Sequence, residues 1–326
     1  HREGWPGRCR TVRDSLARMV TGARDRAVRG ARATARTMVR AGAVLTAPWR
    51  GSPDFLLIGT KRGGTTSLYR QLETHDAYLP LFPSAARLPM RENMKGVHFF
   101  DTHHHYGRTW YRSHFPSQLA RRRRVASVGA AFTGDASPYY LFHPLAAQRA
   151  AALVPDVKLL VLLRDPVERT ISHWSEQTRN GVEQLSLADA LAAEADRVGD
   201  AAEQLVAGRI RTSFAHEQQS YASQSEYAAS LERWIEAFGR DRLLVLFSEE
   251  YYADPLAALR QVTDFLGVAP HGDVDLSVRN AAQRRGDDAA VRVALAERFA
   301  PDAVRLEAIV GRRPPWPWLG SGAAAG

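Results

Sequence analysis

Apolar positions fall along the chain in two rhythms. Three short unbroken runs, Phe55-Leu56-Leu57-Ile58, Val157 to Leu163 and Leu243 to Phe247, read as strands buried on both faces of a parallel sheet. Between them the spacing turns helical. Thr65 opens a helix with Leu68 and Leu72 four apart, and Pro166 opens one that stops near Asn180-Gly181. Residues 182–230, rich in Ala, Gln and acid, read as helices, Pro255 to Gly267 as another, and 291–310 as a final amphipathic one. Strands alternating with helices predict an α/β fold, a P-loop-like parallel sheet flanked by helices. The expected domain covers 51–313, after a basic helical extension (1–50) and before a flexible tail (314–326). The Pro-rich stretch 76–115 around His98 reads as an active-site insertion, and 268–290 as loop.

Charge changes this picture only at one end. Residues 1–50 hold twelve Arg, no Lys and three acids, which accounts for the whole net charge of +9. The remainder is balanced, so a strongly basic nucleic-acid-binding domain is not expected. Residues 11–47 form a basic amphipathic stretch that suits an anionic membrane surface, a partner, or a solvated helix leading into the domain. No leader of the basic–apolar–small type opens the sequence, and no apolar run reaches the ~18 residues of a spanning helix. The expected location is the cytoplasm, with peripheral contact to the inner face of a membrane as one option. Cys9 is the single cysteine, which excludes an internal disulfide framework and a multi-cysteine zinc site. Only Lys61, Lys95 and Lys158 are lysines among 44 basic residues, the usage of a GC-rich genome.

The chemistry gathers in the loops after the strands. Gly59-Thr60-Lys61-Arg62-Gly63-Gly64-Thr65-Thr66 has the two-glycine spacing of a phosphate loop, without the Lys that should follow Gly64. Backbone N–H groups of residues 63–66 at a helix start can wrap an anion, and Lys61 and Arg62 supply charge. The second element is Leu162 to Trp174, where Arg164 at a strand end and Ser172 on the next helix suit a second anion. Two grips some distance apart fit a ligand with phosphates at both ends of a nucleoside. A P-loop nucleotide kinase or NTP-binding protein is the alternative, weakened by the missing lysine. His103, His104 and His105 are consecutive and are read as loop, not as metal ligands.

These two elements resemble the cofactor motifs of sulfotransferases that use 3′-phosphoadenosine 5′-phosphosulfate (PAPS), in particular the heparan sulfate type and its bacterial relatives. Lys95–Asp101 (K-G-V-H-F-F-D), Trp110–Pro116, Gly134–Pro144 and Ser248–Pro255 are similar too, in family order over roughly 53–310. The resemblance implies transfer of a sulfonate group to a hydroxyl of a carbohydrate, glycolipid or secondary metabolite, without a metal. It implies that Lys61, Arg62, Gly63, Gly64, Thr65 and Thr66 hold the phosphosulfate end, and Arg164 and Ser172 the 3′-phosphate. Two departures stand out. The family's catalytic Lys falls at Arg62, with Lys61 beside it, so either cation is a candidate to assist the leaving group. The family's general-base Glu falls at Gly96, which leaves His98 as the expected base and Glu92, Asp101 and Asp135 as fallbacks. Trp110, Tyr111, Tyr139 and Tyr140 are candidates for aromatic faces toward the acceptor.

Overall fold

The computed structural model describes residues 38–84, 94–270 and 289–320. Four parallel strands form one sheet: β1 (Phe55–Gly59), β2 (Gly134–Ala136), β3 (Lys158–Leu163) and β4 (Leu243–Phe247), in the order β2-β1-β3-β4. β1 pairs Phe55 with Lys158 of β3, and β3 pairs Leu159 with Leu243 through to Leu163 with Phe247. The β1–β3 register breaks between Leu57 and Gly59, where the chain leaves the sheet for the glycine loop.

β1, β4 and all of β3 after Lys158 are apolar because both faces are covered. Leu56, Ile58, Leu159, Val161 and Phe247 point into one core with Phe100, Tyr140 and Trp234. Phe55, Leu57, Leu160, Leu162 and Leu246 point into the other, against Leu68 and Leu72 of the helix Thr65–Glu73 and Leu259 and Val262 of the helix Pro255–Leu266. Each such side chain, taken fully out of water, contributes about 1.5–3 kcal/mol.

Local chemistry sets the helix ends. Asp165 caps the helix Pro166–Arg179 by accepting from the Val167 N–H at 2.9 Å, with proline in the first turn. Asp254 does the same for Pro255–Leu266, which stops at Gly267 with φ of 74°. The final helix spans Ala289–Val310. Between 182 and 230 the chain forms short helices (Leu187–Ala192, Glu194–Val198, Ala201–Val206) and a π-turn, Ala215–Gln219. The stretch expected to be a flexible tail is packed in its described part: Trp316 is 3% exposed against Phe247 and Tyr227, and Trp318 Nε1 donates to Asp165. Of the basic stretch 11–47, residues 38–45 are helical and the rest lies outside the described residues, as does 271–288 of the expected loop. Among the described residues no helix is long and apolar enough to cross a membrane.

Candidate active site

Gly59 ends β1, Arg164 and Ser248 follow the ends of β3 and β4, and the structure ties the three strand ends together. The Thr60 N–H donates to the Leu162 carbonyl at 2.9 Å. Ser248 Oγ lies 2.6 Å from the Gly63 carbonyl oxygen and 2.9 Å from that of Leu163, so the glycine loop is fastened to β3 from the β4 side. Its two adjacent glycines stand in crowded positions. A Cβ on Gly63 would sit 2.6 Å from the Leu162 carbonyl oxygen, and one on Gly64, where φ is 89°, 2.6 Å from Tyr252 Oη. Gly64 then caps the helix Thr65–Glu73, whose first N–H groups have no intrahelical acceptor.

Four cations surround this helix start. Lys61 Nζ donates to Glu217 Oε1 at 2.9 Å and to the Glu217 carbonyl at 3.2 Å, and lies 5.2 Å from the Tyr139 ring centre. Arg62 donates from Nε to Ser172 Oγ at 3.1 Å and from Nη1 to Glu176 at 2.7 Å. Arg164 Nη1 donates to the Arg62 carbonyl at 3.2 Å. Lys95 Nζ donates to Thr66 Oγ1 at 2.6 Å. The two anion-gripping elements, expected to stand apart, therefore meet: the long Arg62 side chain bridges from the loop to Ser172. Beneath them Arg169 is fully buried, and neither its Nη1 nor His173 Nε2 has a partner. Burial and the charges of Arg169, Lys61 and Arg62 hold the His173 imidazole well below its ordinary pKa.

His98 stands on the neighbouring loop. Its Nδ1 is 2.9 Å from Asp101 Oδ2, and its backbone N–H donates to Ser137 Oγ at 3.0 Å. Burial alone would lower the His98 pKa. The Asp101 hydrogen bond and charge, helped by Asp135 and Glu217, outweigh it and raise the pKa above the ordinary value. A neutral His98 that gives its Nδ1–H to Asp101 carries its lone pair on Nε2. Among the described residues, the non-glycine residues with positive φ are Arg62 (66°) and His98 (53°). Such backbone costs about 1–3 kcal/mol each and persists only where the surroundings fix it.

Asp135 is what fixes it on the His98 side. Fully buried, it accepts from the Val97 N–H (2.9 Å), Ser137 Oγ (2.7 Å), Tyr140 Oη (2.9 Å) and Tyr111 Oη (3.3 Å). It is a structural hub, and its burial removes it as an alternative base. Position 96 is closed as well, since a Cβ on Gly96 would lie 2.5 Å from the Ala136 carbonyl oxygen. Glu92 lies outside the described residues. The aromatic residues considered for the acceptor are largely core. Tyr111, Tyr139 and Tyr140 are 1%, 3% and 0% exposed, and Trp110 is half-buried against Tyr106 and His114. Their hydroxyls and rings hold Asp135, His216 and Lys61 instead. Sequence reasoning missed Glu176 and Glu217 as partners of the loop cations. It quoted Lys95 without a role, although lysine is scarce here and two of three lysines prove to lie at the loop.

The chain is similar to known proteins. A family described as the sulfotransferase domain matches residues 52–285. Mouse bifunctional heparan sulfate N-deacetylase/N-sulfotransferase 4 is 28% identical over 225 residues, 67% of this chain and 23% of that protein. Mouse heparan sulfate glucosamine 3-O-sulfotransferase 3B1 is 31% identical over 216 residues, 66% of this chain and 46% of that protein. The chain thus spans a quarter to a half of the length of these relatives. Among solved structures, a sulfotransferase from Alicyclobacillus acidocaldarius is 29% identical, with a TM-score of 0.59 over 80% of this chain and 97% of that one. With the strand-end loop, the second cationic element and the His98 loop all inside the matched span, the chain belongs to the sulfotransferase domain family.

Proposed function

We propose that this chain transfers a sulfonate group from PAPS to a hydroxyl of a carbohydrate, glycolipid or secondary metabolite. One observation carries the reading. Lys61, Arg62, Lys95 and Arg164 gather at a helix start preceded by the crowded glycines Gly63 and Gly64, while the His98–Asp101 pair stands on the adjoining loop. Three carboxylates, Glu217, Glu176 and Glu168, pair with Lys61, Arg62 and Arg164, which leaves one of the four cations in excess. That excess fits an anionic ligand.

PAPS, when bound, supplies a sulfonate already activated by its bond to phosphate. The residues supply the rest. The N–H groups of 63–66 with Lys61 and Arg62 hold the 5′ end, and Arg164 and Ser172 the 3′-phosphate. Fixed donors at the 5′ end act where charge grows as the sulfur–oxygen bond breaks. His98 Nε2 takes the acceptor proton, with Asp101 steadying the imidazolium that results. No covalent nucleophile is needed. The catalytic unit is read as residues 51–313. Contact of the basic stretch 11–47 with an anionic membrane surface is one option beside a solvated helix, and it predicts binding to anionic vesicles that disappears at high salt.

Incubation with radiolabelled PAPS and a panel of sugars, glycolipids and phenols tests this. Label should enter an O-sulfate ester, and His98→Ala should abolish transfer while retaining binding of the product adenosine 3′,5′-bisphosphate (PAP). Turnover of ATP with Mg²⁺, and none of PAPS, would favour the kinase alternative.

A further inference from the structure

Lys95 is a cation that no carboxylate among the described residues pairs with directly. Lys95 is half-buried, and among the described residues its ammonium donates to a hydroxyl, Thr66 Oγ1 at 2.6 Å. Thr66 lies in the first turn of the helix Thr65–Glu73, the positive end of the helix dipole, where a cation is unfavourable. Burial, then the nearby charges of Arg70 and Arg62, lowers its pKa, with Glu176 opposing. A protein keeps such an ammonium only where something else supplies negative charge.

The other two cations of the loop are already engaged by acids. Arg62, at the position where the family has its lysine, gives its guanidinium to Glu176 and Ser172. Lys61 gives its ammonium to Glu217. Resting on the PAPS reading above, we infer that Lys95 supplies the ammonium that faces the phosphosulfate end, taking the role of the lysine that Arg62 replaces. Lys95 faces the phosphate oxygen that keeps the electron pair when its bond to sulfur breaks, and stays protonated throughout. His98 takes the proton displaced as the acceptor oxygen bonds to sulfur.

The two residues are also held at a fixed separation. The Lys95 carbonyl accepts from the Ala136 N–H at 2.8 Å, the Val97 N–H donates to Asp135 at 2.9 Å, and the His98 N–H to Ser137 at 3.0 Å. Residues 95–98 are thus pinned to the end of β2, and one short run carries the leaving-group cation and the base.

With only three lysines, the chain suits a direct test. Lysines labelled by reductive methylation with ¹³C give three NMR signals, assigned with Lys61→Met, Lys95→Met and Lys158→Met. PAP should move the Lys95 signal most and leave Lys158, at the start of β3, in place. By calorimetry, Lys95→Met should weaken PAP binding about tenfold to a hundredfold, the range for one charge-assisted contact, and Lys95→Arg should recover most of it. An unmoved Lys95 signal with PAP bound, or wild-type affinity in Lys95→Met, overturns the inference and leaves the PAPS reading standing. If the wild-type chain binds neither PAP nor PAPS, the cofactor reading falls and this inference with it. Should Lys95→Met fail to fold, the wild-type signals, assigned from the other two variants, still decide.

Discussion

Alanine at Gly63 and at Gly64 should damage the protein for different reasons and by different amounts. At Gly64 the backbone is left-handed, with φ of 89°, and the added methyl meets Tyr252 Oη at 2.6 Å. The left-handed backbone costs an L-residue about 1–2 kcal/mol. The Tyr252 ring is half-buried and can swing aside, which adds little. At Gly63 the φ is ordinary, but the methyl would stand 2.6 Å from the Leu162 carbonyl oxygen and 2.7 Å from Thr60 Cγ2. Relief requires lifting the loop from β3, which breaks the Thr60–Leu162 hydrogen bond of 2.9 Å and strains the Ser248 tie. Overpacking contributes about 1–3 kcal/mol and an unsatisfied buried carbonyl about 1–3 kcal/mol more. Gly129 is the control: φ is 86° and nothing lies within 4 Å of its Cβ, so Gly129→Ala isolates the backbone cost. Chemical denaturation should rank the losses Gly63→Ala, then Gly64→Ala, then Gly129→Ala. In a Tyr252→Phe background Gly64→Ala should approach Gly129→Ala. A Gly63→Ala chain no less stable than Gly129→Ala would refute the packing of this loop against β3.

Three further outcomes follow from other contacts. On the proposal that His98 acts as a neutral base, whose pKa Asp101 raises, kcat/KM should fall on the acid side through a pKa above the ordinary imidazole value. Asp101→Asn removes the carboxylate charge and leaves burial, so the acid limb should move to lower pH; an unmoved limb would remove His98 from the reaction. Ser248→Ala deprives the Gly63 and Leu163 carbonyls of their shared donor and should destabilise by about 1–3 kcal/mol in denaturant titration, with weakened PAP binding. Trp316→Ala, which empties a site beside Phe247 and Tyr227, should lower stability by about 3–5 kcal/mol, whereas a loose tail would lose almost nothing.

The frame was legible because it is apolar. Strands buried on both faces leave unbroken runs, and β1, β3 and β4 each begin or end within a residue of where those runs do. β2 escaped because it is three residues long, Gly134-Asp135-Ala136, with a carboxylate at its centre. That acid tolerates burial through donors from Val97, Ser137, Tyr140 and Tyr111, a contact set no local pattern contains. The i,i+3 spacing of His98 and Asp101 was visible, and so were the loop cations. Their partners were not: Glu217 reaches Lys61 from 156 residues away, on a π-turn without helical periodicity. Trp110, Tyr111, Tyr139 and Tyr140 look like a platform for a sugar, yet a ring with a hydroxyl also suits a polar core, and three of the four are used that way. Arg62 joins the two anion-gripping elements because its side chain is long enough to reach Ser172, which depends on a backbone φ that the sequence does not reveal.

The claim on which the rest stands is that the glycine loop and the Arg164–Ser172 element hold the two phosphates of one nucleotide. Calorimetric titration of the wild-type chain and Arg164→Ala with PAP, and with AMP, which lacks the 3′-phosphate, tests it most directly. Arg164→Ala should weaken PAP by about tenfold or more, the loss of one charge-assisted grip, and leave AMP nearly unchanged. Equal losses for both ligands, or none for PAP, would contradict the account.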